Sequence, residues 1–326
     1  MSQNQLPTDF TLNTGAKIPA VGFGTWQAPN DVVEQAVAEA LACGYRHIDC
    51  ASIYRNEPGV GAGLRRSGVD RKDVFITGKL WNTKHAPSDV EAALDKTLTD
   101  LGVEYLDLFL MHWPVAFRAG DKWFPLREDG EFDVVQMDPA ETYRAMEKLL
   151  DTRKVKAIGV SNFTWQRLED LMRKTTVIPA VNQIEAHPYL QQPDLLSFCQ
   201  SRGIQVVAYS PLGNNQTGEP RAVDDDAVQQ LSSETGMDGG QLLASWGIQR
   251  GTVVLPKSVT PSRIQSNLRV RSLPDPVFGK LTALERHKRF NTQERWGVDI
   301  FQEVGEDEAR RIGESYAAEN KRKFTV

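Results

Sequence analysis

The sequence is short of several things, and each shortage closes off a class of protein. Its three cysteines, Cys43, Cys50 and Cys199, are too few for a disulfide framework and show no paired metal-ligand spacing. So sparse and odd a set fits a reducing compartment, and the expected location is cytoplasmic. Cys50 directly follows Asp49, where a thiol is more often buried filler than a participant. No apolar run approaches the ~20 residues needed to cross a bilayer. The first ten residues, MSQNQLPTDF, lack the charged start and apolar stretch of a signal peptide. Positive charge is not in excess: the formal net charge is -5, so nothing argues for nucleic acid or an anionic membrane as a partner. A Rossmann fingerprint is missing too. Gly22-x-Gly24 breaks at Gln27, and Gly59-x-Gly61 continues as Ala62-Gly63-Leu64. Internal repeats and long low-complexity segments are absent.

What is present is an ordinary globular composition, 40% hydrophobic and 25% charged over 326 residues. A prior of ~150 residues per domain suggests two domains, but one α/β barrel routinely exceeds it. Short β-rich runs at 21–24, 45–49, 74–80, 106–112, 156–161, 180–185, 205–210 and 252–256 read as strands. Between them lie amphipathic stretches at 31–43, 57–67, 88–101, 139–151, 164–174, 192–202, 225–247 (broken near Gly236) and 261–268. Ser88 and Thr164 read as helix N-caps, with Glu91 completing a capping box after Ser88. Eight strand–helix alternations predict a parallel sheet with crossover helices. An open doubly wound sheet is the rival, but the count of eight and the lack of a composition break favour a (β/α)8 TIM barrel, one domain over 1–326. Residues 10–14 and 17–19 read as an N-terminal β-hairpin. Two insertions, 116–138 and 213–223, follow strand C-termini, where barrel enzymes build their sites. The tail from Glu285 is charged but carries Phe290, Trp296, Ile300 and Phe301. It is expected either to close as a loop over the active face or to anchor outside.

Four polar residues fall at or just past the ends of neighbouring strands: Asp49, Tyr54, Lys79 and His112. Taken singly, each has an ordinary explanation, because an Asp–Lys pair is usually structural and a lone Tyr or His usually packs. Together at one barrel face they make a coherent acid site. A phenol with a pKa near ~10 donates poorly. A nearby lysine cation is expected to lower that pKa. A carboxylate keeps the buried lysine charged, because an unpaired buried charge is costly. A histidine in reach orients a carbonyl or relays the proton. The other chemistry these residue types allow is a metal hydrolase using His47, Asp49, His112, Glu185 and His187. That reading leaves Lys79 and Tyr54 without roles and places His47 deep in the barrel, so no metal is expected.

The chain resembles the aldo-keto reductase superfamily over nearly its whole length. The runs that carry this are Gly-Tyr-Arg-His-Ile-Asp at 44–49, Ile-Thr-Gly-Lys-Leu-Trp at 76–81, and Leu-Asp-Leu-Phe-Leu-Met-His-Trp-Pro at 106–114. Ile-Gly-Val-Ser-Asn-Phe at 158–163, Asn-Gln-Ile-Glu at 182–185 and Leu-Pro-Lys-Ser-Val-Thr-Pro-Ser-Arg-Ile at 255–264 complete them. The resemblance implies that Tyr54 is the proton donor, that Lys79 and Asp49 tune it, and that His112 orients the substrate carbonyl. It implies NADPH/NADP+ as cofactor. Ser161, Asn162 and Gln183 would hold the nicotinamide carboxamide, Tyr209 would stack on the ring, and Ser210 and Leu212 would approach the pyrophosphate. Lys257, Ser258, Thr260 and Arg263 would surround the 2′-phosphate, a local cluster of cations and hydroxyls at a helix start that suits an anion. Thr25, Trp26, Val259 and Asn267 complete the implied cofactor set. The family often has Glu before that Asn; here Ser266 stands there, which weakens one adenine contact.

Trp26, Ile53, Trp81, Trp113 and Phe124 fall at family pocket positions, with Trp296 a weaker candidate. Within the superfamily, residues 112–117, 120–126, 211–215 and 218–220 are similar to fungal NADP-dependent glycerol dehydrogenases and glyceraldehyde (aldehyde) reductases. The expected function is reversible NADPH-dependent reduction of small polyol-related carbonyls such as glyceraldehyde or dihydroxyacetone, by a monomer. Reduction of larger secondary-metabolite or xenobiotic carbonyls stands beside it. So does a low-turnover NADPH-binding sensor, against which the intact tetrad argues, since a binding protein has no need of Tyr54.

Overall fold

Alternation along each strand decides which side chains meet, and here it builds two shells around one sheet. The structure, a computed structural model, describes residues 5–215 and 218–324. The first four residues of the chain, and 216–217 within the second insertion, lie outside those described. A hairpin of β1 (Asp9–Thr11) and β2 (Lys17–Pro19) comes first. The barrel strands are β3 (Phe23–Gly24), β4 (His47–Asp49), β5 (Phe75–Leu80) and β6 (Leu108–Met111). After a small antiparallel pair, β7 (Ala116–Phe117) and β8 (Val134–Val135), come β9 (Ile158–Ser161), β10 (Val181–Glu185), β11 (Gln205–Tyr209) and β12 (Val253–Leu255).

The barrel strands pair in parallel in chain order from β3 to β12. The ring closes just ahead of β3, where Val21 bridges in parallel to Val254. The Gly22 N–H donates to the Val254 carbonyl and the Val254 N–H to that of Ala20, both at 2.9 Å. Gly22 has to be glycine at this seam, because a Cβ there would stand 2.5 Å from Leu255 Cδ2 and 2.6 Å from His47 Nδ1. This is a closed (β/α)8 barrel, as the alternation predicts.

Phe75, Leu108, Leu110, Val181, Val207, Val253 and Leu255 point inward and pack with Leu12 and Ile18 of the hairpin region, which plugs one end. Their neighbours of opposite parity, among them Ile48, Ile76, Phe109, Met111, Val160, Ile184, Val206, Ala208 and Val254, face the helices. Continuous apolar strands buried on both faces are what a helix-wrapped parallel sheet requires.

Most helices fall where the periodicity places them. Thr164 caps its helix, Trp165–Lys174, by accepting from the Arg167 N–H at 3.3 Å. The break within 225–247 is at Gly236, left-handed at φ 66, between Asp226–Thr235 and Gly239–Gln249. The capping box at Ser88 does not form. The N-cap of Val90–Leu101 is Asp89, one residue later and already helical in conformation, with no side-chain cap. The Ser88 hydroxyl donates to the Asp89 carboxylate, and Glu91 reaches Lys154 at 3.0 Å. Helices Asp275–Thr282 and Glu306–Phe324 are additions to the expected set. The second docks through glycine: a Cβ on Gly313 would lie 2.8 Å from the Gly297 Cα. No helix among the described residues is long and apolar enough to cross a membrane.

Candidate active site

The strand parity that buries Phe75 and Val181 also sends Asp49, Lys79, Gln183 and Glu185 into the barrel, near the C-terminal ends of their strands. Asp49 ends β4 and Lys79 is the penultimate residue of β5. His112 follows β6, its N–H bonded to the Leu80 carbonyl at 3.1 Å. Tyr54 closes a short 3-10 turn, Ser52–Tyr54, that Arg55 ends in a left-handed conformation at φ 57. The loop after β4 thereby turns back over β5.

Lys79 is fully buried, and its ammonium donates to Asp49 Oδ1 and, at 2.9 Å, to the Cys50 carbonyl. Asp49 Oδ2 accepts from Gln183 Nε2 at 2.7 Å. A buried ion pair is tolerable when its remaining hydrogen-bonding capacity is met in this way. The Lys79 ammonium stands 5.3 Å from the centre of the Tyr54 ring. The His112 ring meets Tyr54 edge-on at 5.9 Å and is itself packed by Trp81 at 5.4 Å. All four sequence-selected residues are thus in one cluster.

Electrostatics correct one expectation. Burial, and then the charge of Asp49, push the Tyr54 phenol well above its ordinary value of 10. The Lys79 cation beside the ring does not reverse that direction. Tyr54 therefore holds its proton at any physiological pH. Burial, then Lys79 and His85, push His112 well below 6.5, so its imidazole is neutral. A neutral imidazole orients a carbonyl through a hydrogen bond but brings no spare proton. The phenol is the group that has one.

A second polar layer is continuous with the first. Asn162, left-handed at φ 66, donates to the His112 carbonyl at 2.9 Å and accepts from the Tyr209 hydroxyl at 2.8 Å. The Ser161 hydroxyl donates to the Gln183 carbonyl at 2.8 Å. Gln183 thus links this layer to Asp49, a contact the sequence does not reveal. Thr25 is buried, its hydroxyl on the Asp49 carbonyl at 2.8 Å, and Trp26 beside it is half-buried. Ser210 and Leu212 are half-buried on the turn after β11.

Past β12, Lys257, Val259, Thr260 and Arg263 are exposed and Ser258 is half-buried. Among the described residues neither Lys257 nor Arg263 forms an ion pair, and partial burial lowers the Lys257 pKa. Thr260 precedes the helix Pro261–Leu268 without capping it by its side chain. Two cations outside any ion pair beside open helical N–H groups are a donor set suited to a phosphate, so the residues present fit a phosphorylated dinucleotide. Asn267 is buried, and the Ser266 hydroxyl donates to Asp238.

Trp81, Trp113, Phe117, Phe132, Trp296 and Ile300 form a buried aromatic wall, with Ile53 and Trp123 packed against it. Phe124, 40% exposed, stands at its rim with its ring 5.3 Å from that of Trp81. Trp296 lies 5.2 Å from Trp113 and 5.0 Å from Phe117. The tail therefore closes on the active face, the first of the two expectations. Sequence reasoning missed Phe117, Trp123 and Phe132, which the β7–β8 pair brings to the wall.

The residues of the metal reading do not gather at one centre. His47 is bonded to Thr77 at 3.1 Å, and burial lowers its pKa to about 4. Asp49 is held by Lys79 and Gln183, and Glu185 by His187 at 2.9 Å. Among the described residues no three His, Cys, Asp or Glu side chains could hold a metal ion.

Residues 20–286 match the aldo/keto reductase family. The chain is 46% identical over 291 residues to the human protein "Aldo-keto reductase family 1 member A1", covering 86% of this chain and 90% of that one. It is 44% identical over 303 residues to "Aldo/keto reductase slr0942" of Synechocystis, covering 88% and 91%. Among solved structures, the aldose reductase from Schistosoma japonicum superposes with a TM-score of 0.85 at 35% identity, covering 91% of this chain and 99% of that one.

Proposed function

The chain belongs to the aldo/keto reductase family, whose members are NADP-dependent oxidoreductases acting on carbonyls, and we propose that its substrates are small polyol-related aldehydes and ketones such as glyceraldehyde and dihydroxyacetone. The observation that carries the catalytic part is the meeting of Tyr54 with His112 beside the sealed Lys79–Asp49 pair. In this reading the neutral His112 orients the carbonyl oxygen between itself and Tyr54. Tyr54 gives up its proton as charge develops on that oxygen, and Lys79, fixed by Asp49, stabilises the phenolate left behind. The chemistry supplied by bound NADPH is hydride donation to the carbonyl carbon. Ser161, Asn162, Gln183 and Tyr209 orient the nicotinamide end, with Thr25 and Trp26 flanking it. Ser210 and Leu212 approach the pyrophosphate. Lys257, Ser258, Val259, Thr260, Arg263 and Asn267 hold the adenosine end. The aromatic wall excludes water, which strengthens each electrostatic term.

The residue runs shared with fungal glycerol dehydrogenases and glyceraldehyde reductases support the small-substrate assignment. The same reading has the chain act as one domain, a monomer in the cytosol. Steady-state NADPH oxidation with a carbonyl panel tests it. Three-carbon hydroxycarbonyls are expected to give a higher kcat/KM than bulky ones. Preference for bulky carbonyls would replace the substrate class, and tight NADPH binding without any turnover would point instead to a sensor.

A further inference from the structure

β10 ends on a carboxylate that the reaction does not use. Glu185 is fully buried and accepts four hydrogen bonds: His187 Nε2 at 2.9 Å, the Phe290 N–H at 2.8 Å, and the Asn291 N–H and Nδ2, each at 2.9 Å. Burial alone would raise this carboxyl, but the His187 contact, the Phe290 N–H and Arg289 outweigh it and hold it below its ordinary value. An ionised acceptor with charge-assisted bonds is a firm anchor. What it anchors is the C-terminal tail.

Asn291 faces the other way as well. Its Oδ1 accepts from Asn214 Nδ2 at 3.0 Å, and its Nδ2 lies 3.4 Å from the Ser210 hydroxyl. Both partners belong to the turn that follows β11. Ser210 sits in the left-handed region at φ 47, a conformation that a non-glycine residue keeps only when its surroundings impose it. The Phe290 ring supports the same turn, close enough that a Cβ on Gly213 would stand 3.1 Å from it. Five residues after Asn291, Trp296 is in the substrate wall.

We propose that Asn291 is a positioning residue for the cofactor: it clasps the Ser210–Asn214 turn to Glu185, holds the strained turn in place over the dinucleotide, and so sets how slowly NADPH leaves. The proposal rests on the NADPH reading of the site above.

The test is NADPH release from the full chain, followed by stopped-flow tryptophan fluorescence. Asn291→Ala is expected to release NADPH about tenfold faster, with the association rate within about twofold of wild type. Asn214→Ala, which leaves the Glu185 contacts intact, is expected to act in the same direction by about threefold. The double variant should be faster than Asn291→Ala by less than the threefold of Asn214→Ala, since both changes remove one shared contact. Unchanged release in Asn291→Ala at an unchanged melting temperature overturns the clasp and leaves the reductase assignment standing. If the cofactor-free Asn291→Ala protein melts early, Asn214→Ala decides, and unaltered release from it overturns the clasp. Failure of the wild-type chain to bind NADPH removes the cofactor reading and the clasp together.

Discussion

Two clusters of carboxylate and cation sit at opposite ends of the barrel, and they are built from the same chemistry to different ends. At the C-terminal ends of the strands, Asp49 and Lys79 are sealed from water, at 5% and 0% side-chain exposure. At the N-terminal ends, Asp107 accepts from Arg71 at 2.8 Å, Lys156 at 3.0 Å and the Ile76 N–H at 3.0 Å, with Lys156 half in water. Both of those cations lie 4.0 Å from the centre of the Tyr105 ring. Each cluster even has its tyrosine beside a cation. The difference is what faces outward. Tyr54 and His112 stand with the upper pair under an aromatic wall, whereas Tyr105 is flanked by two cations whose shared carboxylate, Asp107, ties the starts of β5, β6 and β9 into a floor. An ion pair with a tyrosine is therefore no mark of a reactive site. Burial of the pair, with a proton-holding phenol and a neutral imidazole beside it, is.

The sharpest way to break that contrast is to remove one oxygen. Tyr54→Phe should lower kcat by about 10²–10⁴-fold, the usual range for a general acid, without changing the melting temperature or NADPH affinity. Retained reduction would reassign the proton. Next in size, Lys79→Met leaves Asp49 buried without its cation and should cost about 3–5 kcal/mol in urea unfolding, as well as turnover. Glu57 sharpens the point from the same end of the barrel. It is buried beneath the site with one oxygen unpartnered, and burial raises its pKa from 4.5 to about 7. Below 4.5 both folded and unfolded chains hold that proton. Between 4.5 and 7 the unfolded chain loses it first, so wild type loses stability as pH rises. Glu57→Gln does not titrate, and its stability relative to wild type should grow by about 3 kcal/mol from pH 4.5 to 7.5. A pH-independent difference would show that the carboxyl is solvated. The smallest effect belongs to the floor. Asp107→Asn should cost about 1–3 kcal/mol and leave turnover within twofold. If it lowered kcat as Lys79→Met does, the two clusters would no longer be distinguishable.

Strand order and the tetrad were legible because both follow from period-two alternation and from polar residues at the ends of apolar runs. Nothing in that pattern separates Asp107 from Asp49, since each stands at an end of its strand and only the direction of the chain tells which end. The helix Glu306–Phe324 was less legible. Its buried residues, Ala309, Gly313 and Ala317, are at helical spacing but too small to stand out among the charges around them. Phe117 and Phe132 reach the pocket wall through a pair of two-residue strands, below the length at which alternation carries information. The link from Gln183 to Asp49 joins residues far apart in the chain and leaves no local trace. Lys79 is expected to acidify Tyr54, yet burial outweighs it, because sequence shows which charge stands near a phenol but not how completely that phenol is desolvated.

The seam between Val21 and Val254 has a consequence for biosynthesis. β3 leaves the ribosome early, yet its second hydrogen-bonding edge waits for β12. Until then the growing chain is an open sheet with two raw edges, the surface on which strands of neighbouring chains add. The strand that ends this exposure is followed at once by Lys257 and Arg263, so the barrel becomes safe from its neighbours and acquires these two cations within the same short stretch of translation.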